Sequence, residues 1–192
     1  MRVFIPSTDQ SGCRPLAFVL KVDYHGVCNE PIPAEVTVVS LVRLLYVSRL
    51  SKRCGPDEMR AIQQVSRENN LTSGVTGALC YSARGFLQCL EGPAAAVNEI
   101  YRRIARDDRN ENVTLLDYTG IEQRDFGQWS MAFIRDDEID SRILAKIRGA
   151  STFDPFDLAP GEAMDFLKDV TLERAEFLAR QQAAVEKKRG ST

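Results

Sequence analysis

The stretch GVTGALCYSARGFLQCLEG at residues 74–92 sets the architecture expected of this chain. Two short apolar runs flank a turn-prone group at residues 82–85, and this pattern is typical of a β-hairpin inside a sheet. Because side chains alternate along a strand, Phe86, Gln88 and Leu90 should share one face of the second strand. The hairpin pattern therefore places the polar Gln88 between two apolar neighbours.

Gln88 is open to two interpretations, a strand-edge glutamine that faces water or a residue that contacts a ligand. A buried amide without partners costs on the order of 1–3 kcal/mol per unsatisfied group, so burial would demand specific contacts. Tyr46 interrupts the apolar run at residues 36–48 in a similar way. A buried tyrosine needs a hydrogen-bond partner for its hydroxyl, and most such residues are purely structural.

The composition indicates one globular domain with appendages, since the chain has 192 residues of which 44% are hydrophobic. A formal net charge of −2 provides no basic footprint for nucleic acid. No apolar run reaches the ~20 residues of a membrane span and the N-terminus does not resemble a signal peptide, so we expect a cytoplasmic protein. Five scattered cysteines and one histidine favour neither a disulfide framework nor a zinc site.

A first helix is expected from the sequence GPDE at residues 55–58, because proline suits the first helical position and acids complement the macrodipole. The helical period is then followed by Met59, Ile62, Val65 and Ser66. Asn69 and Asn70 lie at its C-terminal end, where one asparagine is expected to act as a cap. Two adjacent carboxamides are not explained by capping alone.

A second helix is expected after Pro93. Its apolar side comprises Val97, Ile100, Tyr101 and Ile104. Arg103 and Asp107 lie four residues apart on its charged side. They could form a solvated ion pair, or Arg103 could hold a phosphate.

Two further strands are predicted at residues 113–121 and 129–134. Trp129, Met131 and Phe133 should share one face of the last strand. An aromatic and methionine stripe is more often ordinary core than the wall of a cofactor site.

The flanking segments suggest three parts. Residues 1–40 show no sustained period and are expected to form an irregular extension, with one strand at residues 17–22. Residues 136–149 should form a short amphipathic helix and residues 162–189 a long one. The predicted organisation is an extension at 1–40, a core at 41–134, and a helical cap and tail at 135–192.

The predicted element order β-α-β-β-α-β is the ferredoxin-like arrangement, in which an antiparallel-rich sheet carries two helices on one face. The expected fold class is α+β, with one additional strand and C-terminal capping helices. Because this fold hosts many unrelated activities, it leaves the function open.

Five motifs occur together in the predicted core. They are LLYVS at 44–48, ENNLTSGVTGALCYS at 68–82, GFLQCLEGP at 85–93, IARDDR at 104–109 and WSMAF at 129–133. From Leu41 to Ile134 this arrangement resembles the BLUF domain, a flavin-binding blue-light sensor. The resemblance implies that a flavin lies between the two core helices, against the sheet.

The resemblance also implies roles for particular residues. Tyr46 and Gln88 match the photoactive tyrosine and glutamine of the family. Asn70 matches an asparagine that hydrogen-bonds the flavin ring, and Asn69 matches the preceding position, which also lines the ring. FAD is the expected flavin by family habit, with FMN or riboflavin as alternatives.

Further matched positions lie at the edge of the flavin and on the output side. Arg103 and Asp107 match positions near the ribityl chain and phosphate, and Trp129 and Met131 match the pair that relays the signal. A protonated Tyr46 would give an electron and a proton to the excited flavin. The amide of Gln88 would then end in a different hydrogen-bond state, through rotation or tautomerisation.

The family resemblance implies a sensor and not an enzyme. We expect its output to be altered binding to a separate protein, such as a cyclic-di-GMP phosphodiesterase, or altered self-association as a homo-oligomer. The long helix at residues 162–189 is the expected contact, because it extends beyond the sensor and carries an apolar side. No nucleic acid or membrane partner is expected.

Three alternatives compete with this interpretation. A flavin-free ferredoxin-like interaction module would keep the fold without photochemistry. An acylphosphatase-like hydrolase would use an arginine to hold phosphate, although no glycine-rich phosphate loop precedes a helix. A cysteine-adduct sensor would require Cys89, whose strand position fits a small buried thiol better.

Overall fold

The computed structural model describes residues 40–147 and 152–189, so the predicted N-terminal extension and its strand at 17–22 lie outside the described residues. The strands are β1 (Leu41–Leu50), β2 (Thr76–Ser82), β3 (Gly85–Pro93), β4 (Asn110–Ile121) and β5 (Ala132–Arg135). The helices are α1 (Pro56–Ser73), α2 (Ala94–Arg106), α3 (Ser141–Leu144) and α4 (Pro160–Arg189).

The five strands form one mixed sheet in the order β4-β1-β3-β2-β5. β1 pairs antiparallel with both β3 and β4, and β2 pairs antiparallel with β3. β5 lies parallel to β2 at the edge of the sheet. The first four strands with α1 and α2 form the predicted ferredoxin-like core, and β5 is the predicted additional strand. The α+β fold class is confirmed.

Helix α1 begins where the sequence predicts, after the N-cap Gly55. Its end corrects the expectation that Asn69 or Asn70 acts as the cap. The helix continues to Ser73, and Gly74 takes the left-handed conformation there, with a φ of 64°. The side chain of Asn70 is therefore available for contacts inside the protein.

Apolar side chains cover both faces of the central strands β1, β2 and β3, whereas β4 is largely exposed. The helix-side layer, beneath α1 and α2, includes Val42, Leu44, Tyr46, Leu79, Leu90 and Val97. The opposite layer, beneath the C-terminal segment, includes Leu45, Leu87, Ala132, Phe153, Phe166 and Leu167. Because β3 contributes alternate residues to the two layers, it is buried on both faces.

The last strand is shorter than predicted and begins at Ala132. Met131 and Phe133 pack in the helix-side layer, whereas Trp129 packs against the opposite layer. The prediction that all three side chains share a face is wrong. The backbone before β5 is irregular, with a hydrogen bond from Trp129 N to Phe126 O at 3.0 Å, and does not alternate like a strand.

Other boundaries differ in detail. β4 begins at Asn110, three residues before the predicted start, and a register shift opposite Leu45 and Tyr46 marks a bulge in its pairing with β1. In place of the helix predicted at 136–149, the structure has a 3-10 turn at Asp136–Glu138 followed by the single turn of α3, and residues 148–149 lie outside the described residues. Ile139 and Asp140 have extended backbone conformations between the two turns, and the Asp140 side chain caps α3 by accepting from Arg142 N. The segment therefore does not continue as one helix.

Helix α4 begins at Pro160 and packs on the opposite layer through its N-terminal half, including Leu167 and Val170. Val170 is the last residue of α4 with an apolar side chain buried in this layer, and the side chains of residues 179–186 are exposed. None of the helices in the described ranges combines the length and apolar character needed to cross a bilayer.

Candidate functional site

A cavity of about 200 Å³ lies between α1 and α2 against the helix-side face of the sheet. Apolar walls are formed by Ile62, Leu79, Phe86, Ile100 and Ile104. The same cavity is lined by all the residues predicted to sense light or bind flavin, namely Tyr46, Gln88, Asn69, Asn70, Arg103 and Asp107. Tyr46 and Asp107, which are 61 positions apart in sequence, thus meet at one site.

The innermost polar pair is Tyr46 on β1 and Gln88 on β3, which lie directly opposite each other in the sheet. Tyr46 Oη donates a hydrogen bond to Gln88 Oε1 at 2.5 Å. Both residues are buried, with exposed fractions of 2% and 5%. The interpretation of Gln88 as a strand-edge residue facing water is therefore wrong.

Burial raises the pKa of the Tyr46 phenol well above its ordinary value, because the phenolate would lose its hydration. Nearby Tyr101 and Asp107 act in the same direction. The phenol of Tyr46 is therefore protonated at neutral pH, as the sequence predicts. It holds its proton toward the amide oxygen of Gln88.

The amide nitrogen of Gln88 has a weaker hydrogen-bond partner than the amide oxygen has. Its Nε2 donates to Met131 Sδ at 3.5 Å, and a thioether is a weak acceptor. An amide nitrogen carries two donor hydrogens, so Gln88 can offer a hydrogen bond to a carbonyl group in the cavity without breaking its bond to Tyr46.

The two asparagines have different positions. Asn70 is 1% exposed, and its Nδ2 donates to the backbone oxygen of Ser130 at 2.8 Å. Asn69 lies on the exposed side of α1 at the rim of the cavity. Asn70 thus ties α1 to the segment before β5, while Asn69 can reach a ligand only from the rim.

Of the two interpretations of Arg103 and Asp107, the ion pair between them is not formed. α2 ends at Arg106, and Asp107 has an extended backbone with a ψ of 120°, so the helical i,i+4 spacing does not apply. Arg103 Nε instead donates to Glu99 Oε1 at 2.9 Å. Asp107 accepts from Arg109 Nε at 2.8 Å, and this hydrogen bond lowers the pKa of the Asp107 carboxyl.

Arg109 and Asn110 also line the cavity and were not singled out from the sequence. Asn110 Oδ1 accepts from Ser48 Oγ at 2.9 Å, which links the start of β4 to β1. The signal for Arg109 was present in the motif IARDDR, since the residue follows the end of α2 at the same rim as Arg103.

The predicted relay residues differ in their access to the site. Met131 reaches Gln88, whereas Trp129 packs on the other face of the sheet. Trp129 Nε1 is buried and finds no hydrogen-bond partner within the part of the chain that the structure describes. Of the two predicted relay residues, Met131 is the one that contacts Gln88.

Cys89 lies in the opposite layer and points away from the cavity. Burial raises the pKa of its thiol well above the ordinary value, which disfavours the reactive thiolate. Its environment therefore gives no support to a cysteine-adduct sensor.

A larger cavity of about 580 Å³ lies between the N-terminal part of α1 and the ends of β2 and β5. It is lined by residues such as Met59, Arg67 and Tyr81 and contains none of the predicted site residues. Because the buried hydrogen-bonding groups converge on the smaller cavity, that cavity is the candidate site.

Comparison with known proteins agrees with this geometry. The BLUF family, described as sensors of blue-light using FAD, matches residues 41–132. BlrB, a BLUF protein with a dark-state structure, is 30% identical with a TM-score of 0.59, and the similarity covers 68% of this chain and 93% of that chain.

Two larger proteins contain a similar region. Photoactivated adenylate cyclase subunit alpha of Euglena gracilis is 32% identical over 87 residues, which are 45% of this chain but only 8% of that relative. BlrP1 of Klebsiella pneumoniae, in a complex with manganese and cyclic di-GMP, is 25% identical with a TM-score of 0.50. That similarity covers 53% of this chain and 26% of BlrP1.

The family match begins at the first residue of β1 and ends at the first residue of β5, so it includes every element that lines the candidate site. The similarity to BlrB extends over nearly all of that protein. This chain belongs to the BLUF family, the sensors of blue light that use FAD.

Proposed function

We propose that this protein is a blue-light photoreceptor that binds a flavin non-covalently in the cavity between α1 and α2. The observation that carries the proposal is the buried hydrogen bond from Tyr46 Oη to Gln88 Oε1 at 2.5 Å. The phenol and the carboxamide are both uncharged in the dark. The amide can therefore change its hydrogen bonds to the phenol without moving a net charge within the buried site.

The residues around the cavity fit a flavin. Apolar side chains such as Ile62 and Ile104 suit a planar ring, and Asn70 and Gln88 supply amide groups that can match its polar edge. We propose FAD as the flavin, because the family is described as using FAD. Arg103 and Arg109 at the rim could attract the phosphate of FAD or FMN, which riboflavin lacks. Release of the cofactor by denaturation, followed by chromatography against FAD, FMN and riboflavin standards, would identify it.

When bound, a flavin supplies absorption of blue light and accepts an electron. Tyr46 directs its proton at Gln88 Oε1, so the path for proton movement is already aligned before illumination. Rotation or tautomerisation of the Gln88 amide changes which atoms it offers to Tyr46 and Met131. We propose that the altered contact with Met131 carries the signal out of the site.

Blue light should produce a reversible shift of the flavin absorption to the red, and Tyr46→Phe should abolish it. The substitution removes the hydroxyl that donates to Gln88 but keeps the buried ring. Spectra of the purified protein in the dark, directly after illumination and during recovery would measure the effect.

Tyr81→Phe is a suitable control, because Tyr81 is a half-buried sheet tyrosine that lines the other cavity and accepts from Gln63. It should retain the full spectral shift. A wild-type protein that binds no flavin even after reconstitution would refute the photoreceptor proposal, and a normal shift in Tyr46→Phe would refute the assigned role of Tyr46.

We propose that residues 41–134 are the sensor, that residues 135–192 are its helical cap and tail, and that the protein acts in the cytoplasm on a separate partner. The relatives with a similar region include a photoactivated adenylate cyclase subunit and a protein bound to cyclic di-GMP. These similarities favour cyclic-nucleotide signalling, and a cyclic-di-GMP phosphodiesterase is the partner class that we propose.

We also propose that the exposed part of α4 mediates association with a second copy of the chain. Phe177 and Val185 are 44% and 50% exposed on the continuation of the side that packs Leu167 and Val170. The double substitution Phe177→Glu and Val185→Glu should weaken self-association by at least roughly tenfold, because each burial contributes about 1.5–3 kcal/mol. Light scattering across a concentration series, in darkness and in light, would measure it.

Leu172→Glu provides the control, since Leu172 is exposed on a different side of the same helix. It should leave the association unchanged. A wild-type protein that remains monomeric at every concentration would exclude this interface between copies.

A further inference from the structure

Glu91 is a buried carboxylate that the light-sensing site does not use. It lies on β3, three residues after Gln88, and its side chain is fully buried on the opposite face of the sheet. Its Oε1 accepts from Arg43 Nε at 2.9 Å and from Arg43 Nη2 at 2.7 Å. Its Oε2 accepts from the backbone nitrogen of Phe126 at 2.9 Å.

The hydrogen bond to Phe126 fixes one end of a short irregular segment, residues 126–131, which we call the bridge segment. Gly77 N donates to Trp129 O at 3.1 Å in the middle of the bridge segment. At its other end Asn70 donates to Ser130 O at 2.8 Å and Gln88 donates to Met131 Sδ at 3.5 Å. One end therefore contacts the candidate site, and the other end is held by Glu91.

A second branch leads from the same carboxylate to α4. Arg43, held by Glu91, also forms an ion pair with Asp125, the residue before the bridge segment. Asp125 Oδ2 is 3.0 Å from Lys168 Nζ on α4. The chain of contacts from Glu91 through Arg43 and Asp125 thus reaches the helix that we propose as the output element.

We propose that Glu91 is a positioning residue that anchors the bridge segment, so that a change at Gln88 and Met131 is transmitted to α4 through Asp125 and Lys168. This inference rests on the proposed function for its light-dependent part. Its structural part, the anchoring of Phe126 by Glu91, applies in darkness as well.

A carboxylate is suited to this position because both of its oxygens accept hydrogen bonds. One oxygen serves the two nitrogens of Arg43 while the other serves Phe126 N. Glutamine has similar size but only one acceptor oxygen, so Glu91→Gln cannot satisfy both partners. The single amide oxygen of Glu91→Gln should turn toward Arg43, because a hydrogen bond from a charged guanidinium is stronger than one from a backbone amide. The amide nitrogen then faces Phe126 N, which has no acceptor, and the bridge segment loses its hold on β3.

The test is hydrogen exchange of the full flavin-loaded chain, measured by mass spectrometry in darkness and under continuous blue light. In the dark, the amide of Phe126 should exchange roughly tenfold faster in Glu91→Gln than in the wild type. Under light, the wild type should change its exchange in the bridge segment and in residues 160–178 of α4. In Glu91→Gln the change in α4 should fall by roughly threefold or more, while the flavin still shifts to the red.

Two further variants separate anchoring from general damage. Glu111→Gln makes the same substitution at an exposed strand position on β4 and should behave like the wild type. Asp125→Asn leaves the bonds of Glu91 intact and weakens the branch to Lys168, so it should lose the light response of α4 but keep that of the bridge segment. It also tests the branch if Glu91→Gln does not fold.

The proposal is overturned if Glu91→Gln keeps wild-type exchange at Phe126 in darkness, or if both Glu91→Gln and Asp125→Asn keep the full light response in α4. Absence of a red shift in the wild type would instead refute the proposed function. The dark exchange of Phe126 would still decide whether Glu91 anchors the bridge segment.

Discussion

Gln88→Leu is expected to bind flavin and to show no light-induced red shift at all. Leucine fills a similar volume in the helix-side layer but offers neither the acceptor for Tyr46 Oη nor the donor to Met131. Loss of the acceptor also leaves the buried Tyr46 hydroxyl without its partner, which should lower the free energy of unfolding by about 1–3 kcal/mol. Light-minus-dark absorption spectra and urea denaturation would measure the two effects.

Gln64→Leu is the matched control for Gln88→Leu. Gln64 is exposed on α1, where its side chain donates to Glu68 Oε1 at 3.1 Å on the helix surface. Its replacement should leave the red shift at full size, because no group in the cavity changes. A shift of wild-type size in Gln88→Leu would mean that another residue makes the light-sensitive contact.

Gly77→Ala is expected to destabilise the sheet strongly. A Cβ at this position on β2 would lie 2.1 Å from the backbone oxygen of Cys89 on β3. Strand β2 would have to move away from β3, which would also strain the hydrogen bond from Gly77 N to Trp129 O. Overpacking of this kind costs about 1–3 kcal/mol and sometimes more, a large part of the 5–15 kcal/mol typical of a folded domain.

Gly120→Ala on β4 is the control for Gly77→Ala, because a Cβ there would meet no atom within 4 Å. It should leave stability unchanged or raise it slightly, since alanine restricts the unfolded chain more than glycine does. Equilibrium denaturation of both variants would give the difference in unfolding free energy. Equal unfolding free energies for the two variants would show that β2 can shift away from β3 with little loss of stability.

Much of the core could be predicted because its signals are local. Proline and two acids after Gly55 mark the start of α1, and the alternation along β3 places Gln88 in the helix-side layer. These patterns depend on backbone preferences and side-chain periodicity over a few residues. The element order then led to the ferredoxin-like sheet that the structure shows.

Predictions failed where regular secondary structure ends. Trp129 was assigned to a strand and Asp107 to a helix, yet both lie just outside those elements. In each case the prediction assigned the wrong neighbour to the side chain, because a periodic pattern predicts side-chain direction only while the backbone remains regular. The true partner of Arg103 is Glu99 and that of Asp107 is Arg109.

Roles for Tyr46, Gln88 and Asn70 were predicted from motif resemblance, whereas their mutual geometry required the folded chain. Tyr46 and Gln88 are 42 residues apart in sequence and become neighbours only through the register of β1 and β3. The alternation of residues along a strand is encoded locally, so the sequence alone was enough to predict the sheet face of Gln88.

The tertiary structure decided which buried groups meet. The contacts of Glu91 with Arg43 and Phe126 join three distant segments, and their sequence spacing contains no sign of this. A buried carboxylate needs partners wherever the fold can supply them, and the packing of strands and loops determines which donors are within reach. Periodicity therefore determined the layers of this protein, and long-range packing determined its network of polar contacts.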